Sequence, residues 1–139
     1  MITDRPWDSS VDVAPDPQLV STAHACFDLA RAGDTERLRA YVEQGVPVNL
    51  TDAAGNTLLM LAAYHGHAET VSALVALGAD PDRTNDRGKS PLASAIFKGQ
   101  DDVVRVLLAA GADPDVGTPS ARETAETFDR ADLLPKAEL

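Results

Sequence analysis

The sequence predicts an all-α solenoid of stacked helix-turn-helix units with projecting β-turn fingers, and three observations predict it. Glycines fall on one ruler: Gly33, Gly66 and Gly99 stand 33 residues apart, as do Gly45, Gly78 and Gly111, and Gly55 pairs with Gly88 at the same offset. The run Gly78-Ala79-Asp80-Pro81-Asp82 recurs unchanged as Gly111-Ala112-Asp113-Pro114-Asp115, and the block Asp52 to Thr84 matches Asn85 to Gly117 at 12 of 33 positions. Within each period the local signals read helix, turn, helix, loop. A fixed period of about 20 to 50 residues marks an array whose units bury a core only against their neighbours.

Residues 1–16 read as an acidic, proline-containing arm, with four aspartates, Pro6, Pro15, no apolar helical period and the chain's one tryptophan, Trp7. Residues 17–139 read as a single repeat domain. Its first unit, 17–51, is an N-terminal cap: Ala25 to Gly33 supplies a first helix and Asp34 to Gly45 a second. Arg31, Arg37 and Arg39 give it the polarity of a solvent-facing end.

Two full repeats follow, at 52–84 and 85–117. Thr57 precedes Leu58, Leu59, Leu61, Ala62 and Ala63 and is placed to cap a helix with its hydroxyl; Ser90 does the same one period later. Pro91 then takes the first helical position, where a missing N–H costs nothing. Gly66 and Gly99 sit where a left-handed residue ends a helix. Beyond them Val71, Leu74 and Val75, or Val104, Leu107 and Leu108, recur at helical spacing. Gly78 and Gly111 close these second helices, Pro81 and Pro114 prevent continuation, and Asp82 to Gly88 reads as an extended loop with a tight turn at Asn85-Asp86-Arg87-Gly88. The last unit, 118–139, keeps the phase poorly and reads as a degraded C-terminal cap whose apolar set is Ala125, Phe128, Leu133 and Leu134.

Taken together, the 33-residue unit, the finger with glycine, Thr57 or Ser90 opening a short helix with a small apolar pair near its end, Gly66-His67, a leucine-rich helix and Gly-Ala-Asp resemble the ankyrin repeat. Thr57-Leu58-Leu59-Met60 and Ser90-Pro91-Leu92-Ala93 stand where that family usually has Thr-Pro-Leu-His, so both of the family's histidines are missing. The resemblance covers about Gln18 to Leu134. It implies a non-catalytic module that displays a concave surface, and it implies contact positions at the finger tips and at the last two residues of each first helix.

Composition narrows the functional classes. The net charge is −10, from 12 basic and 22 acidic side chains, and a field of that sign repels polyanions, which argues against nucleic-acid binding. No apolar run reaches the length of a membrane span, and Met1 to Ser10 lacks the basic and apolar regions of a signal peptide. A single cysteine, Cys26, forms no internal disulfide. The expectation is a cytoplasmic, monomeric protein; arginine outnumbering lysine nine to three, with abundant alanine, points to a bacterial source.

Chemistry-bearing residues each have a structural explanation. His65 and His67 with Asp101 and Asp102 could be imagined as a metal or acid-base cluster, but the histidines flank the turn glycine Gly66, where the resemblance gives His67 a structural role. Asp101, Asp102, Glu36 and Glu69 occupy first turns of second helices, where the helix dipole favours negative charge. Cys26 reads as a buried thiol beside Phe27. Asp80, Asp82, Asp113 and Asp115 read as a solvated, turn-forming face, since a proline splits each pair and the spacing is not that of a calcium loop. No catalytic residue, metal or cofactor is expected.

A binding surface is expected instead. The contact positions implied by the resemblance hold Arg31-Ala32, Tyr64-His65 and Phe97-Lys98 on the helices, and Ala53, Ala54, Asn56, Asp86, Arg87 and Lys89 on the fingers. Tyr64 and Phe97 are expected side by side, bordered by Arg31, His65, Arg87, Lys89 and Lys98, on a surface unlike the acidic remainder. Aromatic and arginine side chains dominate binding energy at interfaces. The expected partner is another protein, engaged through an acidic or phosphorylated segment with an apolar anchor. The alternative is a regulatory or chaperone-like subunit of an enzyme complex.

Overall fold

The computed structural model describes residues 17–135, with side chains from residue 21 onward. The expected arm at 1–16 and Trp7 lie outside the described residues. The described chain forms α1 (Pro17–Ala32), α2 (Thr35–Glu43), α3 (Leu58–Tyr64), α4 (Ala68–Ala76), α5 (Pro91–Lys98), α6 (Asp101–Ala109), α7 (Ala121–Thr127) and a short 3-10 helix at Ala131–Leu133. Helices α1, α3, α5 and α7 stack side by side as an inner layer; α2, α4 and α6 form the outer one.

Each inner helix after the first opens on a hydroxyl cap. Thr57 Oγ1 accepts from Met60 N, Ser90 Oγ from Ala93 N and Ser120 Oγ from Glu123 N, each at 3.1 Å. At Ser120 the Glu123 carboxylate also accepts from the Ser120 N–H at 2.9 Å, completing a reciprocal cap. These helices are short because the chain must turn after two turns: Gly66 and Gly99 take left-handed φ angles of 81° and 72°. Any side chain is strained there, which is why both positions hold glycine.

The interior is the seam between the two layers. Leu58, Leu59, Ala62 and Ala63 of α3, and Leu92, Ala95 and Ile96 of α5, meet Val71 and Leu74 of α4 and Val103, Val104 and Leu107 of α6. Small alanines on the inner helices let neighbouring repeats approach closely, while leucines fill the space beneath the outer helices. Cys26 is fully buried in this seam, and burial pushes its thiol pKa up to about 11.

Repeats are also joined by hydrogen bonds at fixed positions. His67 Nε2 lies 2.7 Å from the Arg31 carbonyl oxygen, and Gln100 Nε2, one period later, donates to the Tyr64 carbonyl at 3.4 Å. In the buried seam the hydroxyls of Thr35 and Thr70 are 2.7 Å apart. In the loops, Asn49 Oδ1 accepts from Asp80 N at 2.9 Å and Asp82 Oδ1 from Asp113 N at 2.7 Å. Asp80 Oδ1 accepts from Asp82 N and Asp113 Oδ1 from Asp115 N, each at 2.9 Å, so these two aspartates shape turns, while Asp82 ties one repeat to the next.

Two features depart from the expectations. Helix α1 begins at Pro17, eight residues before Ala25, so it extends about two turns past the start of the other inner helices. The final unit keeps its helix but shifts phase: the capping residues Thr57 and Ser90 are 33 apart, Ser90 and Ser120 only 30. With that shift Asp129 occupies the left-handed turn position, at φ 59°, that glycine holds in the earlier repeats. Ala125 and Leu134 are buried and Leu133 is half-buried, but Phe128, expected among the apolar set of the cap, is 49% exposed. Its ring points at the concave face and not into the core.

Candidate functional site

The fingers are stitched into one continuous edge. Asp86 N donates to the Ala54 carbonyl at 3.0 Å, Asn85 Nδ2 to Asn56 Oδ1 at 2.9 Å and Thr118 N to the Gly88 carbonyl at 2.9 Å. Within each finger an Asx residue shapes the turn: Asp52 Oδ1 accepts from Ala54 N and Asn56 N, and Asn85 Oδ1 from Arg87 N and Lys89 N. Such a ladder holds the finger tips at a fixed distance from the inner helices.

Between the fingers and the inner helices runs a groove of about 690 Å3. Asn56, Asn85, Arg87 and Lys89 line its finger side; Met60, Leu61, Ala93 and Ser94 form the floor; and Tyr64, His65, Phe97 and Phe128 line the helix side. Tyr64 is 40% exposed and Phe97 59%. These are large apolar areas for a protein whose other large hydrophobic side chains are mostly buried or half-buried among the described residues.

Of the expected site residues, Tyr64, His65, Arg87, Lys89 and Phe97 come together along this groove. Lys98 is outside the lining, but its Nζ stands 4.9 Å from the centre of the Tyr64 ring, in cation–π range. Arg31 stays outside too: its guanidinium reaches Asp28 at 3.0 Å and Asp52 at 4.0 Å. The ring contact of Phe97 is edge-to-face with Phe128 at 5.5 Å, while Tyr64 meets His65 edge-on at 5.3 Å. Phe128, Thr124 and Thr127 belong to the groove and escaped the sequence reading, because the three-residue phase shift hides their correspondence to the end of α5.

None of the residues lining the groove is acidic, although the chain carries 22 acidic side chains. Asp101 and Asp102, in the first turn of α6, are paired with Arg130 at 2.6 Å and with Arg105 at 2.7 Å. Burial, followed by the charges of His67, Arg31 and Lys98, lowers the His65 pKa from its ordinary value. Near neutral pH the groove therefore presents two cations, a neutral imidazole and an aromatic wall.

His65 and His67 lie with ring centres 6.5 Å apart, and His67 is turned to the Arg31 carbonyl. Among the described residues no three His, Cys, Asp or Glu side chains gather in a way that could hold a metal ion, and no helix is long and apolar enough to cross a membrane.

Comparison with known proteins accords with this architecture. A protein of Pseudomonas aeruginosa described as an ankyrin repeat protein is 56% identical over 45 residues, 32% of this chain and 26% of the relative, so the match spans about a quarter of that protein's length. The family profile described as ankyrin repeats (3 copies) matches residues 26–118, taking in the end of α1 and both full repeats. With two thirds of its length matched and helix pairs joined by stacked fingers, the chain belongs to the ankyrin repeat family, whose members are generally non-catalytic modules of protein–protein interaction.

Proposed function

We propose that this chain binds another protein through the groove between its fingers and inner helices, taking up an acidic segment that carries an apolar or aromatic anchor. The observation that carries the reading is the sorting of charge: in a chain of net charge −10, no carboxylate among the described residues lines the groove that Arg87 and Lys89 share with exposed Tyr64, Phe97 and Phe128. An apolar anchor gains from burial against the aromatic wall, and carboxylates gain from the finger cations. Rigid inter-repeat bonds favour binding by reducing the ordering cost that a loose site incurs. On this reading the protein works as a monomer in the cytoplasm, by holding, scaffolding or blocking its partner without turnover.

The test is co-precipitation from native lysate, comparing the wild type with a Tyr64→Ala/Phe97→Ala variant whose circular dichroism matches it. A partner held through this groove is lost from the variant, since truncating a hot spot costs at least about 2 kcal/mol, roughly thirtyfold in affinity. Equal recovery by both proteins contradicts the reading. A stably co-purifying enzyme, whose activity changes when the chain is removed, favours a regulatory or chaperone-like subunit instead.

A further inference from the structure

In a chain where acidic side chains outnumber basic ones 22 to 12, most arginines find a carboxylate. Arg31, Arg37, Arg39, Arg105, Arg122 and Arg130 each pair with one, at 2.6 to 3.6 Å. Among the described residues Arg83, Arg87, Lys89 and Lys98 make no ion pair. Three of those four stand at the groove. Arg87 and Lys89 line its finger side, and Lys98 flanks its helix side, with Nζ 4.9 Å from the centre of the Tyr64 ring. Lys89 is half-buried, so it bears part of a desolvation cost that no carboxylate of the chain offsets. Cations that await a carboxylate therefore stand on both sides of an apolar floor.

The helix side has a second property. Tyr64-His65 and Phe97-Lys98 hold equivalent places at the ends of α3 and α5, and the exposed His65 ring meets Tyr64 edge-on at 5.3 Å. Beyond burial, the charges that His65 feels come from His67 at the start of α4, Arg31 at the end of α1 and Lys98 at the end of α5, and all of them oppose its protonation. The carboxylates closest to this cluster, Asp28 of α1 and Asp52 of the first finger, are drawn to the Arg31 guanidinium at 3.0 and 4.0 Å. An incoming carboxylate is attracted by Lys98 and cancels part of the field that keeps the imidazole neutral. The ring then takes up a proton and becomes a second cation for the same carboxylate. A phosphate is the poorer match, because the arginine fork it prefers is already engaged at Arg31.

We propose that Lys98 and His65 form a second anion subsite, opposite Arg87 and Lys89, which takes a carboxylate of the partner together with a proton, so that the segment this groove fits carries acids on both sides of its apolar anchor. This rests on the groove being the binding site.

The probe is a fluorescein-labelled synthetic peptide with two central phenylalanines and glutamates on both flanks, titrated onto the full-length chain by fluorescence anisotropy. Two control peptides keep the glutamates on one flank only, with glutamine on the other. The wild type is compared with Lys98→Gln, His65→Gln and Arg87→Gln/Lys89→Gln, all first checked for equal circular dichroism. The doubly acidic peptide should bind the wild type about threefold or more tighter than either control, and Lys98→Gln should lower it to the level of the better control. Its affinity for the wild type should rise several-fold from about pH 7.5 to about pH 5.5, where glutamates stay ionised. His65→Gln should abolish that rise and Arg87→Gln/Lys89→Gln should leave it in place. By NMR, the His65 ring should take up its proton at higher pH with the peptide bound than without it. Equal binding of the three peptides, or a pH profile unchanged by His65→Gln, overturns the second subsite. If Arg87→Gln/Lys89→Gln still weakens binding in that case, the groove reading stands without it. A peptide that no variant affects, or that does not bind at about 1 mM, counts against the groove reading and the subsite together.

Discussion

The imidazole of His67 and the carbonyl oxygen of Arg31 are joined across two repeats at 2.7 Å. A carbonyl can only accept, so Nε2 is the donor and carries a proton. The bond ties the end of α1 to the start of α4, and Gln100 repeats it toward Tyr64 with a longer reach of 3.4 Å. Although the family's usual inner-helix histidines are replaced by Met60 and Ala93, the units are still linked, by side chains from the next helix.

His67→Ala removes that link and should lower unfolding free energy by about 1 kcal/mol. Gln100→Ala, with the weaker geometry, should cost less. Urea unfolding monitored by circular dichroism measures both; equal costs, or none for His67→Ala, would show that the bond does not contribute.

The turn glycines are predicted to differ. A Cβ at Gly33 meets the His67 ring and one at Gly66 meets the Gln100 amide, whereas one at Gly99 meets nothing. All three have left-handed φ, so each alanine substitution should cost about 1 to 2 kcal/mol of strain. Gly33→Ala and Gly66→Ala should lose more than Gly99→Ala, because the inter-repeat bond must also shift. Thermal midpoints of the three variants give the ranking directly.

Thr35 and Thr70 share a hydrogen bond in the buried seam. Replacing Thr70 alone by valine leaves a buried hydroxyl unpaired and should cost about 1 to 3 kcal/mol; the double Thr35→Val/Thr70→Val variant should recover part of that. A double-mutant cycle by denaturant titration measures the coupling, and additive costs would contradict it.

Much of this was legible in the sequence, and the failures have identifiable physical causes. Thr57, Ser90 and the left-handed glycines announce local geometry, which depends on few neighbours, so helix starts and turns followed directly. Five of the seven expected contact residues line one groove because a repeat carries equivalent positions to equivalent places. Arg31 does not line the groove: its guanidinium reaches Asp28 one turn back on α1, a pair that spacing shows, and Asp52 on the neighbouring finger, a contact that only stacking brings about. Phe128 was missed because the phase shift before Ser120 turns an apparent core residue toward the groove. The structural use of Asp82 was hidden because only stacking brings Asp113 N within its reach.

Titration gives two further expectations. Folding raises the Cys26 pKa from 9.0 to about 11, so between those values the unfolded chain loses a proton that the folded chain keeps, and stability falls as pH rises. A thiol probe such as Ellman's reagent should react with Cys26 only at the rate of unfolding; prompt labelling of the native protein would contradict its burial.

For His65 the sign is opposite. Its folded pKa lies below the ordinary 6.5, so on acidification the unfolded chain takes up the proton first and stability declines as pH falls through 6.5. His65→Gln should flatten that part of the profile relative to the wild type, as read by thermal midpoints across the range; parallel profiles would rule out a depressed pKa.

The central claim is that recognition occurs on the concave face, and site-specific photo-crosslinking in the native cell tests it most directly. Benzoylphenylalanine is placed at Phe97, which is 59% exposed in the groove, or at Arg105, exposed on outer helix α6. Capture of one protein at position 97 and not at position 105 is the predicted result; capture at position 105 alone, or equally at both, would place recognition elsewhere and contradict the account.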